Sequence, residues 1–129
     1  MKKTSLLLFT AILSVCLFTS CSGDDDSENN STDIVGIWQM YEATPSSYYD
    51  SCDFRGWIEF EADGSYSEFD QCEGVITNGT WTISKKTITI IDDDFSIPMD
   101  FKIISISGDE MVLEIIFLGT HTAKYKRLN

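Results

Sequence analysis

Few residues in this 129-residue chain can do chemistry: four cysteines, the single histidine His121, and acidic side chains that outnumber basic ones 21 to 9. A lone histidine excludes a site built from several imidazoles and makes any Ser-His-acid arrangement depend on one residue near the start of the last apolar segment. The expectation for it is a solvent-facing strand position. Asp92-Asp93-Asp94 lacks the spaced oxygen ligands and terminal glutamate of an EF-hand loop, so it reads as a solvated turn with weak attraction for a cation. Glu59 and Glu61 share a strand face on either side of Phe60 and point away from the core, outside the cleft that paired carboxylates need for glycoside cleavage. No phosphate-cradling glycine loop, nucleotide fingerprint or basic aromatic groove is present. The expectation is therefore a protein that is not an enzyme and uses no metal and no cofactor. A net charge of −12 also argues against nucleic acid, whose binding begins with basic groups on phosphates.

The cysteines divide by position. Met1-Lys2-Lys3 is a short basic start, and the apolar run that follows, through Phe18, is too brief for a comfortable membrane span, so residues 1–20 read as a signal peptide. Phe18-Thr19-Ser20-Cys21 resembles the lipobox of bacterial lipoproteins, which implies that Cys21 is lipidated and becomes the mature N-terminus while Cys16 is lost with the signal. The alternative is an ordinary secretory signal with an incidental Cys21. Acyl chains contribute about 0.8 kcal/mol per buried methylene, so the implied membrane attachment is by lipid and not by a helix. Residues 21–33 then form an acidic tether, with nothing apolar to bury between Ser22 and Thr32. The run Ser22-Gly23-Asp24-Asp25-Asp26 resembles the export signal that Bacteroidetes place behind the lipidated cysteine, which implies the outer membrane and exposure at the cell surface; a plain charged spacer is the alternative.

Cys52 and Cys72 remain, an even pair in an oxidising compartment. If the intervening hairpin turns on Ala62-Asp63-Gly64, Glu61 opposes Ser65 and the same register brings Cys72 opposite Phe54, next but one to Cys52. Loop slack closes that gap, and a structural disulfide is expected. A redox thiol would need a Cys-x-x-Cys spacing and a basic setting, whereas Asp50, Asp53, Asp70 and Glu73 disfavour a thiolate here.

From Ile34 onward short alternating runs are separated by turn residues, without a helical period. Strands are expected near Val35–Tyr41, Trp57–Glu61, Ser65–Asp70, Gly79–Ser84, Thr87–Ile91, Met99–Ser107, Met111–Leu118 and Thr122–Leu128. Thr80-Trp81-Thr82-Ile83 and Thr87-Ile88-Thr89-Ile90 alternate cleanly, which turns Trp81, Ile83, Ile88 and Ile90 inward. Tight links at Ala62-Asp63-Gly64, Ser84-Lys85-Lys86 and Gly108-Asp109-Glu110 favour antiparallel neighbours in sequence order. The fold class is all-β: eight antiparallel strands closing into a small up-and-down barrel over residues 34–129. Its interior candidates also include Trp38, Met40, Ile58, Phe60, Tyr66, Phe101, Met111, Leu113, Ile115 and Tyr125, whose bulk favours a filled barrel over a hollow one.

Gly36-Ile37-Trp38, Phe60-Glu61-Ala62-Asp63-Gly64-Ser65-Tyr66 and Gly79-Thr80-Trp81-Thr82-Ile83 together resemble the lipocalin-like domains carried by many Bacteroidetes lipoproteins. The resemblance implies that Trp38 closes the barrel floor and that the long connection Glu42–Gly56 folds over the mouth. It brings Tyr48, Tyr49 and Phe54 there, tied down by Cys52 and followed by Trp57. These four, with Trp38 and Trp81 inside, are the candidate contacts for a small apolar ligand. The alternative is that the aromatics plug the barrel end as ordinary core, leaving a surface module that meets other envelope or host proteins.

Overall fold

A computed structural model describes residues 31–129 of the chain. The expected signal peptide, Cys16, Cys21 and most of the expected acidic tether lie outside the described residues. Eight strands follow a single helical turn: α1 (Ser31–Ile34), β1 (Gly36–Thr44), β2 (Trp57–Phe60), β3 (Ser65–Asp70), β4 (Val75–Ser84), β5 (Thr87–Asp92), β6 (Pro98–Ser107), β7 (Glu110–Ile116) and β8 (Thr120–Leu128). Each pairs antiparallel with its neighbour in sequence, and β8 returns to β1 to close the barrel. Closure leaves no free sheet edge to recruit another chain.

Period-two alternation builds the walls. Trp81 faces Ile90 and Ile83 faces Ile88 across β4 and β5, with Thr80 and Thr82 turned to water. Between β2 and β3 the expected register is the observed one, with Phe60 opposite Tyr66 and Trp57 opposite Phe69, and the Cys52–Cys72 disulfide closes beyond it at a Cα separation of 5.1 Å. Several boundaries differ from the sequence reading. β4 begins at Val75 because its ladder with β3 continues down to Asp70. β7 stops at Ile116 because Leu118 and Gly119 adopt positive φ in the following turn. β1 runs on to Thr44, past a bulge between Met40 and Glu42, because β8 keeps pairing with it. The expected tether through residue 33 ends instead in α1, whose Ile34 is fully buried.

That helical turn is held by the barrel floor. Trp38, inaccessible to solvent, donates from Nε1 to the Ile34 carbonyl at 2.8 Å. Arg127 lays its guanidinium 4.2 Å from the Trp38 ring centroid and donates to the carbonyls of Val35 (2.6 Å) and Asp33 (2.8 Å). Gly36 permits this: its φ is +140°, and a Cβ there would collide with the arginine's terminal nitrogen. The core above the floor is aromatic, with Phe60 tilted on Tyr66 at 5.5 Å and edge-on to Trp81 at 5.3 Å. Ile34, Ala43, Ile103 and Ala123 are buried without having been expected, whereas Ile58, Ile83, Phe101 and Ile115 are only half buried. Asp92 also departs from the solvated-turn expectation. It is buried at the end of β5, and its carboxylate accepts from the Asp94 and Phe95 amides, so it builds the turn that leaves Asp93 and Asp94 exposed.

Candidate functional site

The end opposite the floor carries the connections β1–β2, β3–β4, β5–β6 and β7–β8, and there the barrel is hollow. A cavity of about 220 Å³ descends from the mouth to Trp38. The expectation of a filled interior is therefore corrected. Phe60, Tyr66 and Trp81 pack together toward the floor, while above them the inward side chains of the walls stand apart and leave this space between them.

Apolar wall comes from every side: Met40, Ile58, Phe60, Ile88, Ile90, Phe101, Leu113 and Ile115. Polar groups are concentrated on β3 and the rim. Alternation along β3 turns Tyr66, Glu68 and Asp70 toward the cavity, joined by Asp53, Gln71, Tyr49 and Tyr125. The Tyr66 hydroxyl donates to Glu68 Oε2 at 2.8 Å. By accessible area Glu68 is an exposed residue, because its side chain opens on the concavity, yet the crowding around it still restricts hydration. That desolvation pushes the carboxyl above the usual glutamate range; the Tyr66 hydrogen bond pulls it back, and Asp70, Asp92 and Asp53 push it further up. Burial likewise raises the Tyr66, Tyr125 and Tyr49 phenols, so all three are neutral hydrogen-bonding groups. Tyr125 is only 9% exposed, and among the described residues its hydroxyl has no hydrogen-bond partner.

Among the sequence candidates, Trp38, Tyr49 and Trp57 line the cavity, Trp38 as its floor and Trp57 at the rim, where it stacks on Phe69 with centroids 6.1 Å apart. Tyr48, Phe54 and Trp81 do not. Trp81 donates to the Glu61 carbonyl at 2.9 Å and serves the core. Phe54 packs half buried near Tyr49. Tyr48 lies against His121 at 4.6 Å, with Tyr49 edge-on to the same imidazole at 5.9 Å. The β1–β2 connection thus folds over one side of the mouth and covers His121, which is 5% exposed and not solvent-facing as expected. It alternates inward with Ala123 and Tyr125 on β8, and neither ring nitrogen has a hydrogen-bond partner among the described residues.

Glu68 and Gln71 are not among the sequence candidates, and Asp53 and Asp70 enter there only as acidic neighbours of the cysteines. The signal available was the Tyr66-x-Glu68-x-Asp70 alternation, which follows once Tyr66 is placed inside. Around the mouth the tips of β5–β6 and β7–β8 expose Phe95, Ile97, Phe117 and Leu118, the last two 69% and 79% accessible. Among the described residues no cluster of His, Cys, Asp and Glu is placed to hold a metal, and no helix is long and apolar enough to cross a membrane. The arrangement suits reversible enclosure of a small molecule: apolar walls, a fixed floor and a few polar groups on one side.

No curated protein matches the chain in sequence. The family profile described as a lipocalin-like domain matches residues 34–113, from the buried Ile34 through Trp38, the β2–β3 hairpin and Trp81 to Leu113 on β7. With the closed meander barrel, its tryptophan floor and its open mouth, this chain belongs to the lipocalin-like domain family.

Proposed function

We propose that this protein is a non-enzymatic binding module that holds a small apolar ligand in the mouth of its barrel. The cavity reaching from the rim to Trp38 carries this reading. At about 220 Å³ it lies below the roughly 300–1,000 Å³ of sites that take drug-sized molecules, so its ligand has on the order of ten non-hydrogen atoms. Native mass spectrometry of the protein with a panel of short apolar compounds tests it. The expected result is one-to-one adducts that perturb Trp38 fluorescence and disappear in Ile115→Trp, which narrows the mouth. A silent panel overturns the reading.

A second reading, a module that docks on another envelope or host protein, is favoured by the large apolar side chains Phe95, Ile97, Phe117 and Leu118 exposed on two loop tips, since exposed apolar groups of this kind are what a protein partner covers. In either case the protein works as an exported lipoprotein of the Bacteroidetes type, anchored through Cys21 and displayed from the outer membrane on its acidic tether. The sequence around Cys21 and the acidic run behind it support this. Mass spectrometry of the N-terminal peptide from membrane fractions is expected to find acylated Cys21, and an unmodified or shed N-terminus refutes it.

A further inference from the structure

The cavity wall lacks any basic side chain: neither lysine, arginine nor histidine is among its lining residues. Arg127 lies beyond the Trp38 floor, occupied by backbone carbonyls, and His121 is covered by Tyr48 and Tyr49. On one side of the apolar chamber, by contrast, stand acceptors. Glu68 uses Oε2 to receive the Tyr66 hydroxyl and has Oε1 and further lone pairs left over. Asp70 and Asp53 add negative charge, though their carboxylates are already engaged by the amides of Cys72 and Glu73 and of Asp50. Independently, the Tyr125 side chain, nine-tenths buried and lining the same chamber, carries a hydroxyl with no partner among the described residues. A free hydroxyl on a largely buried tyrosine that faces the cavity is placed to hydrogen-bond a polar ligand group beside it.

From this placement we infer that the barrel selects small amphiphiles whose head donates hydrogen bonds, primary alkyl or arylalkyl amines above all, and discriminates against carboxylate-headed chains of the same length. The inference rests on the ligand-binding reading and adds the chemistry of the head group. An ammonium donates to Glu68, relieves the repulsion among Glu68, Asp70 and Asp53, and receives no like-charge penalty from the wall; a carboxylate meets acceptors and negative charge with no cation to receive it. The Glu68 carboxyl is pushed up first by desolvation and further by the charges of Asp70, Asp92 and Asp53, and a bound cation would relieve that second part. The Tyr125 hydroxyl can accept from the same head.

Isothermal titration of the full protein at neutral pH with octylamine, octanol and octanoate separates the possibilities. Octylamine is expected to bind about tenfold or more tighter than octanoate, with octanol between them, in keeping with a charge-assisted hydrogen bond present in one complex and a repulsion in the other. Glu68→Gln, which keeps an acceptor for Tyr66 but removes the charge, is expected to shrink that preference to about threefold or less. Tyr125→Phe removes a hydroxyl that can accept from an ammonium or alcohol head and donate to a carboxylate, and is expected to weaken octylamine and octanol at least as much as octanoate; a larger loss for octanoate would overturn the head-group inference, so this second variant keeps the test intact should Glu68→Gln fold poorly. Equal affinity for the three probes, or octanoate binding tightest, overturns the head-group inference while leaving the barrel a binder. Binding of none of them overturns both.

Discussion

Arg127→Ala provides a demanding test of how the floor is held. The side chain donates to the Val35 carbonyl from a partly buried position and to the Asp33 carbonyl from an exposed one, and it covers the Trp38 ring. A hydrogen bond from a charged donor contributes about 1.5–3 kcal/mol, the exposed one less than that, and a cation–π contact about 0.5–2 kcal/mol. The ion pair with Asp109, whose side chain is 81% accessible, adds nothing reliable. Truncation therefore costs about 3 kcal/mol, which for a domain of about 100 residues lowers Tm by about 12–24 °C. Scanning calorimetry of the purified protein at neutral pH measures this directly. Arg127→Lys keeps the charge but not the planar fork that reaches two carbonyls and stacks on the indole, and should recover less than half the loss. Ligand affinity measured well below the transition should be unaffected by Arg127→Lys, because the residue lies beneath the floor and not in the cavity. A drop in Tm of less than about 4 °C for Arg127→Ala would refute the view that the Trp38–Arg127 pair locks α1 onto the barrel.

Removing the disulfide as Cys52→Ser with Cys72→Ser releases a loop whose ends are 20 residues apart and should cost roughly 3 kcal/mol in a urea melt, together with weaker ligand binding because Asp53 and Gly56 at the rim lose their tie. His121→Phe should be neutral or stabilising by up to about 2 kcal/mol, because it replaces two buried nitrogens without partners by apolar ring edge under Tyr48 and Tyr49; a clear loss of stability would show that the imidazole has a partner. Glu68 gives a pH signature of unusual sign. Its carboxyl is raised in the folded state, so the folded protein binds more protons, and the group's contribution is most favourable below its unfolded value of about 4.3 and is lost as pH rises through the folded one. Glu68→Gln should accordingly be more stable than the parent at pH 7 and indistinguishable from it below about pH 4; denaturant titrations at the two pH values check this, and a parent more stable at pH 7 would contradict it.

Much of the barrel was legible because strands announce themselves through local alternation and turn chemistry. Trp81 with Ile83, Ile88 with Ile90 and the Ala62-Asp63-Gly64 turn required neighbouring residues alone, and the turn set the register that brings Cys72 to Cys52. The departures concern interactions between distant parts of the chain. His121 reads from the sequence as an exposed strand residue because nothing near it in the chain reveals that Tyr48 and Tyr49 fold across it from the connection that follows the neighbouring strand β1. Three of the aromatic candidates, Trp38, Tyr49 and Trp57, do line the cavity, but Tyr48, Phe54 and Trp81 are spent on covering His121 and filling the core. Glu68 went unnoticed because an acidic residue on a strand is ordinarily a solvated one.

The amino-acid sequence by itself determined the fold class, the order of strands and the pairing of Cys52 with Cys72, since these follow from local alternation and turn register, while the place of Trp38 at the floor came from the family resemblance carried by Gly36-Ile37-Trp38. Whether the closed barrel is full or hollow was decided only in three dimensions. Interior volume depends on which side chains share a layer across all eight strands, and here Phe60, Tyr66 and Trp81 crowd the layers near the floor while the walls above them leave a cavity. The grouping of Glu68 and Tyr125 in that space has the same origin, because closure brings β3 and β8 to face one chamber although these two residues lie far apart in the chain.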